Sequence, residues 1–236
     1  MCYSNSSTSS NVQLAERYKK QVPNNLLAGP IFYAQGFTFP TWRIITSELE
    51  IKAMNWGLIP SWFKGIDSNE IAAMTLNAKI ETAHDKASFK HLIDSKRCII
   101  PSTGFFEWKT VGKEKVPYFI YPSTDTVFSM AGIVDSWGDP KKGEVINTFS
   151  MLTCEANSLM AEIHNTKERM PVILSKEQEA EWLNGKLEAS VLELPFPEKF
   201  MQAHQINRKV INSKNANIPA VILPFENRVY EQGSLF

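Results

Sequence analysis

Cys2 is the residue with the most informative chemistry. Loss of Met1 would leave an α-amine and a thiol on adjacent carbon atoms of one residue, a pair that only an N-terminal cysteine offers. Such a 1,2-aminothiol condenses with an aldehyde to an imine and then closes through sulfur to a stable five-membered thiazolidine. Because a free α-amine titrates near pH 8, part of it is nucleophilic at neutral pH. An unremarkable second residue is the ordinary interpretation of Met-Cys, so other residues must support a nucleophile.

Three further residues are candidates for a site around such a nucleophile. Glu107 lies among three aromatic residues of a predicted strand, where desolvation would raise its pKa and let it carry a proton near neutrality. His164 follows a predicted helix, and imidazole suits proton transfer. Asn77 does not titrate but can orient an amine or hydroxyl group by hydrogen bonding. Each has a structural alternative: an outward-facing strand glutamate, a structural histidine, and a cap for the helix predicted after Asn77.

Several segments together resemble one known family. They are Met1-Cys2, Leu76–Thr82, Gly104–Lys109, and Ile163-His164 followed by Arg169–Leu174, with further agreement in Trp56–Trp62 and Val210–Asn215. Their order and content resemble the SRAP (SOS response-associated peptidase) family of abasic-site processing proteins, from Cys2 to about Pro224. The resemblance implies a DNA-repair enzyme that crosslinks Cys2 to ring-opened abasic sites in single-stranded DNA as a thiazolidine. It also implies abasic-site lyase activity and self-removal of Met1. Cys2, Asn77, Glu107 and His164 would be catalytic, with Glu107 protonating the sugar ring oxygen.

A second group of residues is expected to contact the DNA. Trp62 and Phe63 follow a proline in a predicted turn, where their rings either stack on unpaired bases or belong to the core. Lys79 and Arg169 match family positions that contact phosphate, and Lys86 lies near them in sequence. Any of these cations could instead be an ordinary solvated charge.

The sequence departs from the family pattern in four places. Tyr3-Ser4 stands where many members have Gly-Arg, and Lys79 stands where arginine is common. Four residues separate His164 from Arg169 where some members have one, which could displace the arginine. The segment 37–40, Phe-Thr-Phe-Pro, replaces the usual Asn-x-Ala-Pro, so that part of the sugar pocket cannot be carried over.

The elements that must position these residues are predicted to form one α+β domain. Its antiparallel strands would make an open, barrel-like sheet with flanking helices, over residues 2–224. The predicted strands are 97–101, 104–109, 118–121, 127–134, 146–153 and 171–174, and the predicted helices are 12–19, 80–93, 156–163 and 176–183. Ser175 and Gln178 form a capping box for the last helix, and residues 4–10 are expected to be a soft, polar segment.

Composition narrows the class of protein. The chain has 236 residues, 43% of them hydrophobic, which is enough for a core without metals or disulfides. Lysine plus arginine equals aspartate plus glutamate, 25 each, which counts against strong nonspecific DNA binding. No stretch approaches the roughly 20 apolar residues of a membrane span, so we expect a cytoplasmic, nucleoid-associated protein with no cofactor or metal. Cys98 and Cys154 are expected to be reduced core residues.

The sequence is also compatible with two other functions and with one protein partner. The first alternative is a thiol peptidase or amidase in which Cys2 attacks an amide with His164 as base; the second is a noncatalytic single-strand binder. The tail, residues 225–236, ends in Gln-Gly-Ser-Leu-Phe, which resembles the bacterial sliding-clamp binding peptide. Gln232, Leu235 and Phe236 would bind the clamp, unless the tail folds back on its own domain.

Overall fold

The computed structural model describes residues 2–65 and 67–225, and these form the predicted α+β domain. The strands are β1 (Ser4–Ser7), β2 (Ile31–Gln35), β3 (Thr41–Ile44), β4 (Lys52–Trp56), β5 (Asn77–Lys79), β6 (Arg97–Ser102), β7 (Gly104–Val111), β8 (Glu114–Pro122), β9 (Phe128–Asp139), β10 (Glu144–Glu155), β11 (Arg169–Pro171), β12 (Ile173–Leu174) and β13 (Met201–Gln205). The helices are α1 (Asn11–Tyr18), α2 (Ser68–Met74), α3 (Ser158–Ile163), α4 (Lys176–Leu183) and α5 (Arg208–Ile211). The candidate clamp-binding residues Gln232, Leu235 and Phe236 lie outside the described residues.

The strands form two sheets. One has five strands in the order β13-β8-β7-β1-β2. The other has eight, in the order β12-β9-β10-β4-β3, with β5 and β11 paired to β10 and β6 paired to β9. All named pairs are antiparallel except β10 with β4 and β10 with β5, so the second sheet is mixed. The sheets do not close into a barrel.

Strand β7 shows how sequence alternation positions the site. Phe105 belongs to the main core, whereas Phe106 joins a smaller cluster with Phe119 on the other face of the sheet. Because side chains alternate along a strand, Glu107 points to the same side as Phe105. Glycine is required at position 104, where β7 begins to pair with β8, since a Cβ there would lie 2.6 Å from the carbonyl oxygen of Ile120. The strand therefore turns one carboxylate toward the main core.

The helix predictions are confirmed in part. Helices α1, α3 and α4 lie within or close to the predicted ranges, and Ser175 with Gln178 forms the expected capping box of α4. The helix predicted for residues 80–93 is wrong, since only a 3₁₀ helix over Ile80–Asp85 is followed by turns. Short turns with bonds such as Leu92 N to Phe89 O bury the same apolar residues without a continuous helix. Helices α2 and α5 and strands β1–β5 and β13 lie outside the predicted elements.

The main core includes the two cysteines that follow Cys2 in the chain. Cys98 and Cys154 are buried free thiols, as predicted. In the described part of the chain, no helix is long and apolar enough to cross a membrane.

Candidate active site

Strand β1 carries Cys2 into the interior. This strand lies between β2 and β7, with Ser4 opposite both Gln35 and Phe106. Cys2, just before it, is 1% exposed. Burial, together with the neighbouring Glu107, raises the pKa of the Cys2 thiol well above its ordinary value. In this conformation the sulfur is a neutral thiol, so a nearby base must accept its proton before or as the sulfur attacks.

Glu107 and His164 form a pair beside the thiol. Glu107 Oε2 lies 3.7 Å from His164 Nε2. His164 follows the last residue of α3, and its Nδ1 is 2.8 Å from the carbonyl oxygen of Arg169. Because a carbonyl only accepts, Nδ1 carries a proton and donates it there, which aims Nε2 at the carboxyl group. The pair can therefore hold one proton between Glu107 and Nε2.

Burial sets the acid strength of Glu107. The residue is 4% exposed, and desolvation raises the pKa of its carboxyl, an effect that His164 and the Cys2 thiol partly oppose. A carboxyl group with a raised pKa stays protonated closer to neutral pH than an exposed glutamate does. It can thus act as a general acid at a higher pH than an exposed glutamate can.

Asn77 reaches the site from the other sheet. It begins β5, opposite Met151 of β10, and its Nδ2 donates to the carbonyl oxygen of Cys2 at 3.0 Å. The N-cap position of the 3₁₀ helix that follows is Lys79, and no side chain makes a capping hydrogen bond there, so Asn77 does not cap this helix. Asn77 fixes the backbone of the candidate nucleophile.

Two buried polar atoms of the site have no hydrogen-bond partner among the described residues. They are Asn77 Oδ1 and Glu107 Oε1. A buried polar atom left unpaired costs about 1–3 kcal/mol, and such atoms commonly mark a place where a ligand or water completes the network. An amine or a hydroxyl group entering beside Cys2 would find acceptors already in position.

The residues between His164 and Arg169 form a compact turn. The backbone amides of Lys167 and Glu168 both donate to His164 O, and Glu168 takes a left-handed conformation with φ 49°. This turn brings the backbone of Arg169 back to His164, so the longer spacing does not separate the two residues.

Arg169, one of the residues expected to contact phosphate, is 8% exposed. Its guanidinium donates to both carboxylate oxygens of Glu81, at 2.6 and 2.9 Å, and to Thr153 O at 2.6 Å. Sequence reasoning did not single out Glu81, although it lies in one of the segments that carried the family resemblance. In this conformation the arginine ties β10 to the 3₁₀ helix Ile80–Asp85 rather than facing solvent, and its contact with DNA remains a prediction.

The other residues expected to bind DNA lie nearer the surface. Trp62 is 52% exposed, and Lys79 and Lys86 are exposed. Phe63 is partly buried against Trp137, with ring centroids 6.3 Å apart, and its carbonyl oxygen accepts from the Trp137 indole. Trp62 is thus available for stacking, whereas Phe63 anchors its turn.

No group of three histidine, cysteine, aspartate or glutamate residues in the described ranges could hold a metal ion.

Comparisons with known proteins agree on one family. A family profile for SOS response associated peptidases (SRAP) matches residues 1–213. The abasic site processing protein YoqW of Bacillus subtilis is 37% identical over 194 residues, covering 78% of this chain and 83% of that protein. The abasic site processing protein HMCES of Gallus gallus is 32% identical over 203 residues, covering 77% of this chain and 59% of that protein.

A solved structure agrees with the same assignment of fold. The crystal structure of a protein from Bacteroides thetaiotaomicron superposes with a TM-score of 0.90 and 40% sequence identity, covering 95% of this chain and all of that one. The extent of the profile match and the identity to YoqW, together with the site geometry, show that this chain belongs to the SOS response associated peptidase (SRAP) family.

Proposed function

We propose that this protein processes abasic sites in single-stranded DNA by forming a covalent bond between Cys2 and the ring-opened sugar. The observation that carries the proposal is the convergence of four residues far apart in sequence, namely Cys2, Asn77, Glu107 and His164, in one buried place. The abasic site processing proteins among its relatives support the substrate class.

The reaction starts from Cys2 with a free α-amine. The amine attacks the C1′ aldehyde of the ring-opened deoxyribose, and the carbinolamine loses water to give an imine. The Cys2 sulfur then adds to the imine carbon, and the thiol proton passes to the nitrogen. The product is a thiazolidine, and one water is released overall.

Glu107 and His164 would manage the protons. Protonated Glu107 opens the sugar by protonating its ring oxygen, and its carboxylate takes back the proton that the C1′ hydroxyl releases as the aldehyde forms. The same carboxyl group then protonates the departing hydroxyl of the carbinolamine. The carboxylate formed can then take the thiol proton as sulfur attacks. His164 would stay beside the carboxyl group in both its protonated and its ionised form, because the contact of Nδ1 with the carbonyl oxygen of Arg169 keeps Nε2 facing Glu107. Asn77 Oδ1 would accept a hydrogen bond from the α-amine or from a sugar hydroxyl.

The imine is also a branch point. Loss of the 3′ phosphate from an imine by β-elimination would cleave the strand, so lyase activity competes with ring closure by sulfur. A site that delivers the thiol quickly favours the crosslink.

Self-removal of Met1 would use the same sulfur. The Cys2 thiol would attack the carbonyl carbon of Met1, transferring the acyl group from nitrogen to sulfur and freeing the α-amine. Water would then hydrolyse the thioester and release methionine.

The decisive experiment measures the intact mass of the protein before and after mixing with an abasic single-stranded oligonucleotide. The parent should lack Met1 and form a heat-stable adduct, and Cys2→Ala should form none. Cys2→Ser should leave at most an imine that needs a reductant to be trapped. Cys98→Ala is the matched control, since it removes a core sulfur away from the proposed chemistry and should still crosslink. A stable adduct from Cys2→Ala would overturn the mechanism.

The thiol peptidase alternative has weaker geometric support. His164 Nδ1 lies 2.8 Å from the carbonyl oxygen of Arg169 and Nε2 lies 3.7 Å from Glu107 Oε2, an arrangement that favours a role for the imidazole beside the carboxyl group. Cleavage of added peptides in trans would favour the peptidase, whereas activity confined to Met1 favours the DNA function.

We extend the proposal to a replication partner. The tail sequence Gln232 to Phe236 departs from the usual clamp-binding peptide only at Gly233. A clamp tether would raise the local concentration of the protein where replication exposes single strands, and it would offset the zero net charge of the chain.

A further inference from the structure

Tyr3 and Phe37 form an aromatic pair next to Cys2. Their ring centroids are 4.8 Å apart, and the ring planes are tilted by 48°. Tyr3 is half-buried, whereas Phe37 is 55% exposed. The contact leaves a large part of the Phe37 ring open to solvent.

The turn that carries Phe37 is fixed to the site. Gly36 N donates to Tyr3 O at 2.8 Å, and Phe39 N closes the turn on Gly36 O at 2.8 Å. Gly36 is packed so tightly that a Cβ would lie 3.2 Å from Leu76 Cδ2, and Leu76 directly precedes the candidate site residue Asn77. Phe37 is thus held at a set position rather than on a free loop.

Tyr3 links this turn to the candidate catalytic residues. Continuing the antiparallel register of β1 and β7 by one residue from Ser4 and Phe106 places Tyr3 beside Glu107. Burial, and then the proximity of Cys2 and Glu107, raises the pKa of the Tyr3 phenol, and a hydrogen bond with Asn77 opposes this rise. The inner ring of the pair therefore lies among the site residues and the outer ring faces solvent.

An exposed flat ring beside an abasic sugar has an evident use. The missing base leaves its neighbours without a stacking partner, and stacking of a base on an aromatic side chain is tolerant of sequence because every base has a π face. Resting on the function proposed above, we propose that Tyr3 and Phe37 form an aromatic platform that stacks on the base next to the abasic sugar. The platform makes crosslinking depend on that base, with purines preferred.

The test uses oligonucleotides that share one abasic site and differ at a single flanking nucleotide. That nucleotide is adenine, thymine or tetrahydrofuran, a base-free analogue that has no aldehyde, and each side of the site is tested in turn. At subsaturating protein, the parent should crosslink about 5- to 100-fold faster with adenine than with tetrahydrofuran on one side of the site, and thymine should fall between them. Phe37→Ala should bring the three rates within about twofold of one another.

Matched variants separate stacking from other effects. Phe37→Trp should keep the dependence on the flanking base, and Phe37→Leu, which is apolar but not flat, should lose it. Phe200→Ala is the control, because it removes another partly exposed phenylalanine, one that directly precedes β13. This variant should behave as the parent. Equal parental rates on all oligonucleotides, or a dependence that survives Phe37→Ala, would overturn the platform.

Failure of the platform is distinguishable from failure of the proposed function. Fluorescence anisotropy with an oligonucleotide that carries tetrahydrofuran in place of the abasic site measures binding without any covalent step. If the parent forms no adduct at all, the proposed function fails. The platform still requires that Phe37→Ala remove the effect of the flanking base on this affinity, and it fails if that effect is absent or unchanged.

Discussion

Replacement of Glu107 by glutamine tests the proton transfer on which the proposed chemistry depends. The amide keeps the shape of the side chain but cannot deliver a proton. General acid catalysis by a positioned side chain contributes about 10²- to 10⁴-fold. His164 Nε2, 3.7 Å from the carboxyl group, can replace part of this through a water molecule. We therefore expect the lower end, a loss of about 10²-fold in the crosslinking rate, or about 2.7 kcal/mol in the barrier.

The pH profile supplies an independent signature. The rate of the parent should rise as the α-amine loses its proton and fall as pH rises through the raised pKa of Glu107, because the acid form is then lost. Glu107→Gln should lack the falling part of the profile. Single-turnover crosslinking across pH measures this, and affinity for a tetrahydrofuran oligonucleotide should barely change.

Stability should move in the opposite direction to activity. A carboxyl group with a raised pKa in the folded state contributes stability that is fully present below its ordinary pKa of 4.5 and is lost as pH rises through the folded value. Glutamine cannot ionise and keeps that stability, so the Tm of Glu107→Gln should exceed that of the parent most clearly at alkaline pH.

The control for Glu107→Gln is Glu162→Gln, the same substitution in an exposed residue of α3. Glu162 is paired at 2.5 Å with Lys109, which lies in β7 together with Glu107. The control variant should leave the rate and its pH profile unchanged. The reasoning is refuted if Glu107→Gln crosslinks at the parental rate with the falling part of the profile intact. The proton carrier would then lie elsewhere, with His164 the next candidate.

Three further predictions concern the stability that Arg169 provides, DNA binding by Trp62 and clamp binding by the tail. Arg169→Met should lower the free energy of unfolding by about 2–4 kcal/mol at neutral pH, because partly buried Glu81 loses its partner. Burial alone would raise the pKa of Glu81, but the hydrogen bonds from Arg169 outweigh it and lower that pKa, so the stability from this pair is lost as pH falls through the lowered value. Urea denaturation should therefore show a smaller difference in unfolding free energy between the parent and Arg169→Met below about pH 4.5. Trp62→Ala should weaken binding to single-stranded DNA about 5- to 150-fold with little change in Tm, as measured by anisotropy and thermal unfolding. A labelled peptide of residues 227–236 should bind purified clamp in the micromolar range, about -8 kcal/mol, and no saturable binding at hundreds of micromolar would reject the tether.

Sequence patterns located the middle of the fold well. Residues 97–153 are rich in β-branched and aromatic side chains, and the strands predicted there lie almost wholly inside β6 to β10. These strands are long and their apolar side chains are buried in the core, so the local sequence pattern and the tertiary structure agree.

Strand β1 could not be predicted from its composition. Residues 4–7, Ser-Asn-Ser-Ser, are polar and suggest a soft segment, yet all four are buried. Their polar atoms are satisfied by distant partners, such as Ser102 Oγ for Asn5 Nδ2 at 2.8 Å and Ile31 O for Ser6 Oγ at 3.2 Å. Partners this far along the chain leave no local pattern, and the position of Cys2 depends on them.

The site residues illustrate the same limit. The family resemblance nominated Cys2, Asn77, Glu107 and His164 individually, but their proximity follows from two sheets packing together. The bidentate contact of Arg169 with Glu81 likewise joins residues 88 positions apart. Their catalytic roles remain predictions that the variants above test.

The central place of β1 also has a consequence for the timing of biosynthesis. Cys2 is almost completely buried in the folded protein, where β1 is paired with β7, and β7 ends at Val111. At a translation rate of about 5–20 residues per second, roughly 100 residues separate the two strands by about 5–20 seconds. An aminopeptidase acting in trans on the bond before Cys2 has its best access during that interval, while β1 still lacks its partner. Self-removal of Met1 by the buried thiol would need a base such as Glu107 and would therefore have to wait until β7 has been synthesised, so pulse-chase timing of methionine loss on the growing chain separates the two routes.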